Sequence, residues 1–178
     1  MTHNTVFTPV KLFTGIIYPS NTTLDDCLSG LETHFQNEID TLSDTFTFTH
    51  SPYYEKEMGA PLSRRFVSFK TLVCPGSAYQ FKELSCELEE QFSINQQRSF
   101  NIDPGIVSLH NLMLFSTKNY AHRVACQRGI YVEITSLFRS KKMQHLEWTY
   151  PDFKFKEIET FFLDLRKHYQ HQLQAEYD

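Results

Sequence analysis

Two amphipathic helical segments, each flanked by short alternating or β-branched stretches, predict an α+β fold. A late run of strands followed by a third helical stripe says how the chain ends. The expected architecture is a ferredoxin-like βαββαβ core with an added C-terminal β-hairpin and a closing helix. Residues 1–178 read as one domain, with 1–8 and 174–178 expected to be flexible. No linker, low-complexity run or tandem repeat divides them.

The first strand is Lys11-Leu12-Phe13-Thr14-Gly15-Ile16-Ile17-Tyr18, apolar and β-branched, stopped by Pro19-Ser20-Asn21. Thr22 or Thr23 is placed to cap a helix whose first turn carries Asp25 and Asp26. Leu24, Cys27, Leu28, Leu31 and Phe35 give that helix one apolar face. Strict alternation in Thr45-Phe46-Thr47-Phe48-Thr49-His50 predicts a half-buried strand. The segment 53–61 closes on Gly59-Ala60-Pro61 and reads as a helical turn within a long loop. Residues 64–73 form the next strand, broken by Pro75-Gly76-Ser77. A second helix is expected over 77–92, with Ala78, Phe81, Leu84, Ser85, Leu88 and Phe92 inside and Lys82, Glu83, Glu87 and Glu90 outside. A short strand over 98–102 should meet a turn at Asp103-Pro104-Gly105, since Pro sets φ and Gly supplies positive φ. Strands over 106–115, 129–139 and 143–148 follow, the last two joined at Ser140-Lys141-Lys142. Phe155, Ile158, Phe162, Leu165, Tyr169 and Leu173 mark the closing helix.

Composition narrows the class. Hydrophobic residues are 40% of the chain, with 16 Phe and 9 Tyr, so the core should be aromatic-rich. The net charge of −4 does not support a nucleic-acid partner, although a local basic patch stays open. Cys27, Cys74, Cys86 and Cys126 form no CxxC or zinc-finger spacing and read as reduced thiols. The N-terminal residues have no leader-like pattern and no segment is long enough to span a bilayer, so a cytoplasmic protein with no membrane partner is expected.

The densest chemistry lies in Ser116-Thr117-Lys118-Asn119-Tyr120-Ala121-His122-Arg123. Lys offers a point charge, Arg a planar fork, and Ser, Thr and Asn short donors, as a phosphate or carboxylate needs. His122 adds a group that titrates near neutrality. An ordinary solvated turn, with Arg123 paired to an acid, is the competing reading. The long loop adds Tyr54, Glu57, Arg64 and Arg65 as binding candidates; in the competing reading Tyr53, Tyr54 and Met58 plug the end of the core and Glu57 pairs with Arg64 or Arg65. Asp103, at a strand end, is a candidate base. Alternation puts Ile130, Val132 and Ile134 in the core and leaves Tyr131, Glu133 and Thr135 on the other face. Trp148-Thr149-Tyr150-Pro151-Asp152 reads as a rigid corner, or as an aromatic wall for a ring, with Asp152 near the last helix's N-terminus. His50, Asp103, His110, His122 and Glu133 lack metal-ligand spacing, so no metal site is expected.

The segments Tyr53-Tyr54-Glu55-Lys56-Glu57-Met58-Gly59, Arg64-Arg65-Phe66, Asn101-Ile102-Asp103-Pro104-Gly105, Ser116-Thr117-Lys118-Asn119, His122-Arg123, Gly129-Ile130-Tyr131 and Trp148-Thr149-Tyr150-Pro151-Asp152 resemble the signature segments of the bacterial domain of unknown function 4416 family. The resemblance runs nearly the whole chain in the same order and implies no assigned activity. Some members carry the label "GTP-binding protein". This chain has no GxxxxGK[ST] loop, and Ser-Thr-Lys-Asn is not the guanine-reading Asn-Lys-x-Asp, which excludes a Ras-type site but not another mode of nucleotide binding.

Three functional readings follow. The first is a cytosolic module that binds a phosphorylated or other anionic ligand, nucleotide-like, through Lys118, Asn119, Arg123, Arg64 and Arg65, with Tyr54 or Tyr131 stacking on a ring and Glu57 beside them. The second is a small hydrolase or transferase with His122 as acid/base and Asp103 or Glu133 orienting it, which requires these groups to share one pocket. The third is an interaction or scaffold domain. No reading names a cofactor or an oligomeric state.

Overall fold

The computed structural model describes residues 7–49 and 52–177. His50, and most of the N-terminal segment expected to be loose, lie outside these. Among the described residues nine strands form one sheet: β1 Lys11–Pro19, β2 Ile39–Leu42, β3 Phe46–Phe48, β4 Leu62–Phe69, β5 Asn101–Val107, β6 Asn111–Ser116, β7 Val124–Ala125, β8 Tyr131–Arg139 and β9 Lys142–His145. Four α-helices accompany them: α1 Asp25–Phe35, α2 Pro52–Met58, α3 Gln80–Gln91 and α4 Lys156–Tyr177. The strand order is β2-β4-β1-β5-β6-β8-β7, with β3 on β4 and β9 on β8, and every pairing is antiparallel. The chain is thus a mixed α+β protein on a large antiparallel sheet. None of its described helices is long and apolar enough to cross a membrane.

Successive residues of a strand face opposite sides, and both sides here are apolar. Leu12, Ile16, Val67 and Ile106 join Cys27, Leu31 and Leu88 of α1 and α3 in one core. Phe13, Phe66, Val107 and Leu114 join Ile158, Phe162 and Tyr169 of α4 in a second core on the opposite face. The closing helix therefore docks through the aromatic stripe read from the sequence. Phe13 and Phe66 meet Phe162 edge-on, with ring centres 4.9 and 5.0 Å apart.

Several local expectations are overturned. Asp103-Pro104-Gly105 is no turn but the middle of β5, paired along β1 as Gly15↔Asp103, Thr14↔Pro104 and Phe13↔Gly105. Gly105 serves close packing instead of a turn: a Cβ there would sit 2.4 Å from the Met113 carbonyl oxygen and 2.5 Å from the Phe13 ring. The reversal comes at residues 108–110, where the Ser108 hydroxyl accepts from the Asn111 and His110 amides. The sequence reading also missed β2, because Ile39-Asp40-Thr41-Leu42 is short and half polar. Neither Thr22 nor Thr23 caps α1, whose N-cap is Leu24 with no side-chain bond. Lys82, expected outside, is buried on α3.

Candidate functional site

The site forms where the sheet comes apart. β5 pairs with β6 only from Gly105 to Val107. Beyond Gly105, β5 stays on β1 as far as Asn101, while β6 follows β8 as far as Ser116. The parting strands leave a cleft of about 450 Å³. One wall is β5 with Lys82, Cys86 and Glu89 of α3 beneath it. The other is the end of β6 and the loop after it. Tyr54 of α2, Arg64 of β4 and Tyr150–Asp152 close the remaining sides.

On the β5 wall, buried Lys82 donates to the Ile102 carbonyl at 2.7 Å and lies 3.4 Å from Asp103 Oδ1 and 3.9 Å from Glu89 Oε1. Burial works against its charge, but Asp103 and Glu89 outweigh burial and keep the ammonium above its ordinary range. Burial pushes Glu89 up, although it accepts from the Ile102 amide and Arg98. Arg98, just before β5, holds Glu57 of α2 in a two-pronged pair at 2.7 Å and also donates to Asn101. Burial raises the Cys86 thiol, so it is no ready thiolate nucleophile here.

On the β6 wall, Arg123 spends every guanidinium nitrogen. It donates to Glu133 Oε2 at 2.7 Å, to the Ser116 hydroxyl and Lys118 carbonyl, and to the Tyr150 hydroxyl at 2.9 Å. His122 Nε2 lies 3.0 Å from the same Glu133 oxygen, and its ring stacks flat on Trp148 at 4.8 Å. Between the walls Arg64 pairs with Asp152 at 2.5 Å and lies over the rings of Phe66 and Phe153.

Of the residues singled out from the sequence, Tyr54, Arg64, Asp103, Lys118, Arg123 and Glu133 line this cleft. His122 does not line it but touches it through Glu133. Asn119 is exposed beside it, and Tyr131 lies off it on β8. Arg65 donates to the Ser43 carbonyl, away from the site. Glu57 pairs with Arg98 rather than Arg64 or Arg65 and faces a neighbouring groove of about 650 Å³ that shares Arg98. From Glu133 to Thr135 the expected burial is reversed. Glu133 and Thr135 are buried and Ile134 is 39% exposed, because loop 117–123 and the Trp148 corner cover that side. A register shift in the β6–β8 ladder, between Leu112 and Met113, separates this stretch from the rest of β8. Asp152 lies just before α4, as expected, and is also the buried counter-ion of Arg64.

Sequence reasoning missed Lys82, Glu89, Arg98 and Asn101. The available signal was spacing: Lys82, Ser85 and Glu89 recur at three and four residues along the inner side of α3. Among the described residues no group of three or more His, Cys, Asp or Glu is arranged to hold a metal ion.

Around the β6 wall the cleft's open valences are mainly donors. Ser116 Oγ accepts from Arg123 and from the Lys118 amide, and Tyr150 Oη accepts from Arg123, so both hydroxyl protons are left over. The Tyr54 and Thr117 hydroxyls bond to no described residue. The Lys118 ammonium sits 5.2 Å over the Tyr53 ring with no described carboxylate in ion-pair range. Three of the four lining carboxylates, those of Glu89, Glu133 and Asp152, are buried against cations.

A family model described as Domain of unknown function (DUF4416) matches residues 8–169. No curated protein and no solved structure matches the chain.

Proposed function

The chain belongs to the domain of unknown function (DUF4416) family, and we propose that it binds a small ligand with a phosphate or carboxylate group in the cleft between β5 and β6. The surplus of unengaged donors around Ser116, Thr117 and Lys118 carries this reading. A group rich in acceptors completes those donors, and Lys118 adds a positive charge that holds no described ion pair. The volume suits a ligand the size of a nucleotide or phosphosugar. Tyr53, 57% exposed at the rim, offers a ring face. The strand order β2-β4-β1-β5, with α1 and α3 on one face, supports a ferredoxin-like core carrying the site on its β5 side. The four free cysteines suit the reducing cytoplasm.

The test is thermal unfolding with inorganic phosphate, nucleotides, phosphosugars and dicarboxylates. A binder at a hundred times its Kd adds about 2.7 kcal/mol to stability, readily seen as a shift in Tm. The shift should shrink with added salt. Lys118→Ala should abolish most of it while leaving the unliganded Tm in place, because Lys118 is exposed and unpaired. No shift with any of these ligands would count against the proposal. The hydrolase reading gains less support: the His122 nitrogen that meets Glu133 is spent on it, and the ring is covered by Trp148.

A further inference from the structure

Asp103 is the odd member among the cleft's carboxylates. Its side chain is 28% exposed, against 8% for Glu89, 5% for Asp152 and 1% for Glu133. Each of those three has a cation within 3.3 Å. Asp103 has only Lys82 at 3.4 Å, and accepts one good bond, 2.7 Å from the Asn101 amide. A carboxylate offers about four acceptor positions, so Asp103 keeps capacity to spare. It keeps it on the strand edge that β6 has abandoned, facing into the cleft.

The two walls also differ in net charge. Among the residues that line the cleft, the β5 wall holds Lys82 and Arg98 against Glu89 and Asp103, two cations to two carboxylates. The β6 wall holds Lys118 and Arg123 against Glu133, two cations to one. The cleft is therefore polarised across its width: donors and a net positive charge on one side, a charge-balanced wall with an underused acceptor on the other.

We infer that the ligand is bifunctional, with an oxyanion on the β6 side and a hydrogen-bond donor, an ammonium or a hydroxyl, that Asp103 accepts on the β5 side. This rests on the anion-binding reading and narrows it to phosphorylated or carboxylated amines and polyols. Asp103 then selects the ligand by its second group, while Lys118 and its neighbours hold the first.

Four small probes separate the parts: inorganic phosphate, propyl phosphate, glycerol phosphate and phosphoethanolamine. The last three share a phosphate ester on a short chain and differ in carrying no donor, hydroxyls or an ammonium. Each is titrated into the 15N-labelled protein at constant pH and ionic strength, and amide shifts near Thr117 and Asp103 are followed. At least one donor-bearing ester should bind about tenfold tighter than propyl phosphate, as a hydrogen bond to a charged group implies. Asp103→Asn should remove most of an ammonium preference, read as the ratio of phosphoethanolamine to propyl phosphate affinity. The ester that gains tells ammonium from hydroxyl. If propyl phosphate binds as tightly as both others, the inference is overturned and the anion reading stands. If none of the four shifts any amide, the anion reading falls and takes the inference with it. The wild-type comparison decides the matter even if the Asn variant folds poorly.

Discussion

Glu133 shows how one residue ties the site together. Its carboxylate is all but inaccessible and accepts from Arg123, His122 and the Thr135 hydroxyl. Arg123 in turn holds Ser116, Lys118 and Tyr150, so this one ion pair fixes the geometry of the β6 wall. Removing only the cation leaves the buried charge with His122 and the Thr135 hydroxyl as its remaining partners, so Arg123→Ala should cost about 3 kcal/mol in urea denaturation, the low end for a broken buried pair. Neutralising the carboxylate as well should recover part of that loss, and the double variant Arg123→Ala/Glu133→Gln should be more stable than Arg123→Ala alone. The chemistry of these side chains was legible in the sequence, where Lys118, His122 and Arg123 stand in one polar run. Their partners were not, because Glu133 is ten residues from Arg123 in sequence and its burial depends on what covers the strand.

At the level of elements, the decisive event is the parting of β5 from β6. Pro104 is the first residue of β5 without a β6 partner, and it brings no backbone N–H to extend a ladder. Gly105 beside it admits the Phe13 ring and the Met113 carbonyl. Gly105→Ala should therefore destabilise the protein by about 1–3 kcal/mol, as overpacking does. Because the substituted position is the last shared rung, the variant should also weaken ligand-induced stabilisation, read from the same thermal shifts. The Pro-Gly pair is a strong turn signal, and local propensity alone misassigns it. What overrides it is lateral pairing with β1, a partner some ninety residues away that no local pattern reveals. The inner face of α3 misled in the same way: Lys82 and Glu89 are charged, and only their bonds to β5 and Arg98 make their burial tolerable.

For the whole molecule, the sheet is sandwiched between α1 with α3 and the single long helix α4. Phe162 is fully buried between Phe13, Phe66 and Phe153, so Phe162→Ala should cost about 3–5 kcal/mol. Acid should destabilise the fold by a definable route. The Arg98 hydrogen bonds, against some burial, hold the Glu57 carboxyl below its usual range. Burial alone would raise Asp40, but Lys11 and Ser68 together hold it down. A folded pKa below the unfolded one gives stability that is complete above the unfolded value, about 4, and is lost as pH falls through the folded one. Glu89, raised by burial, acts in the opposite sense. Glu57→Gln should thus lower stability at neutral pH and flatten its decline below about pH 4, measured by urea denaturation across pH. The sequence by itself determined the α+β class, the aromatic stripe of α4 and the chemical types gathered in 116–123, because periodicity and composition are local properties. Only the tertiary structure decided that the strands part at Gly105, that Lys82, Glu89 and Arg98 belong to the site, and that Glu133 is buried. Those outcomes depend on which distant strands pair and what covers them, and therefore on long-range packing.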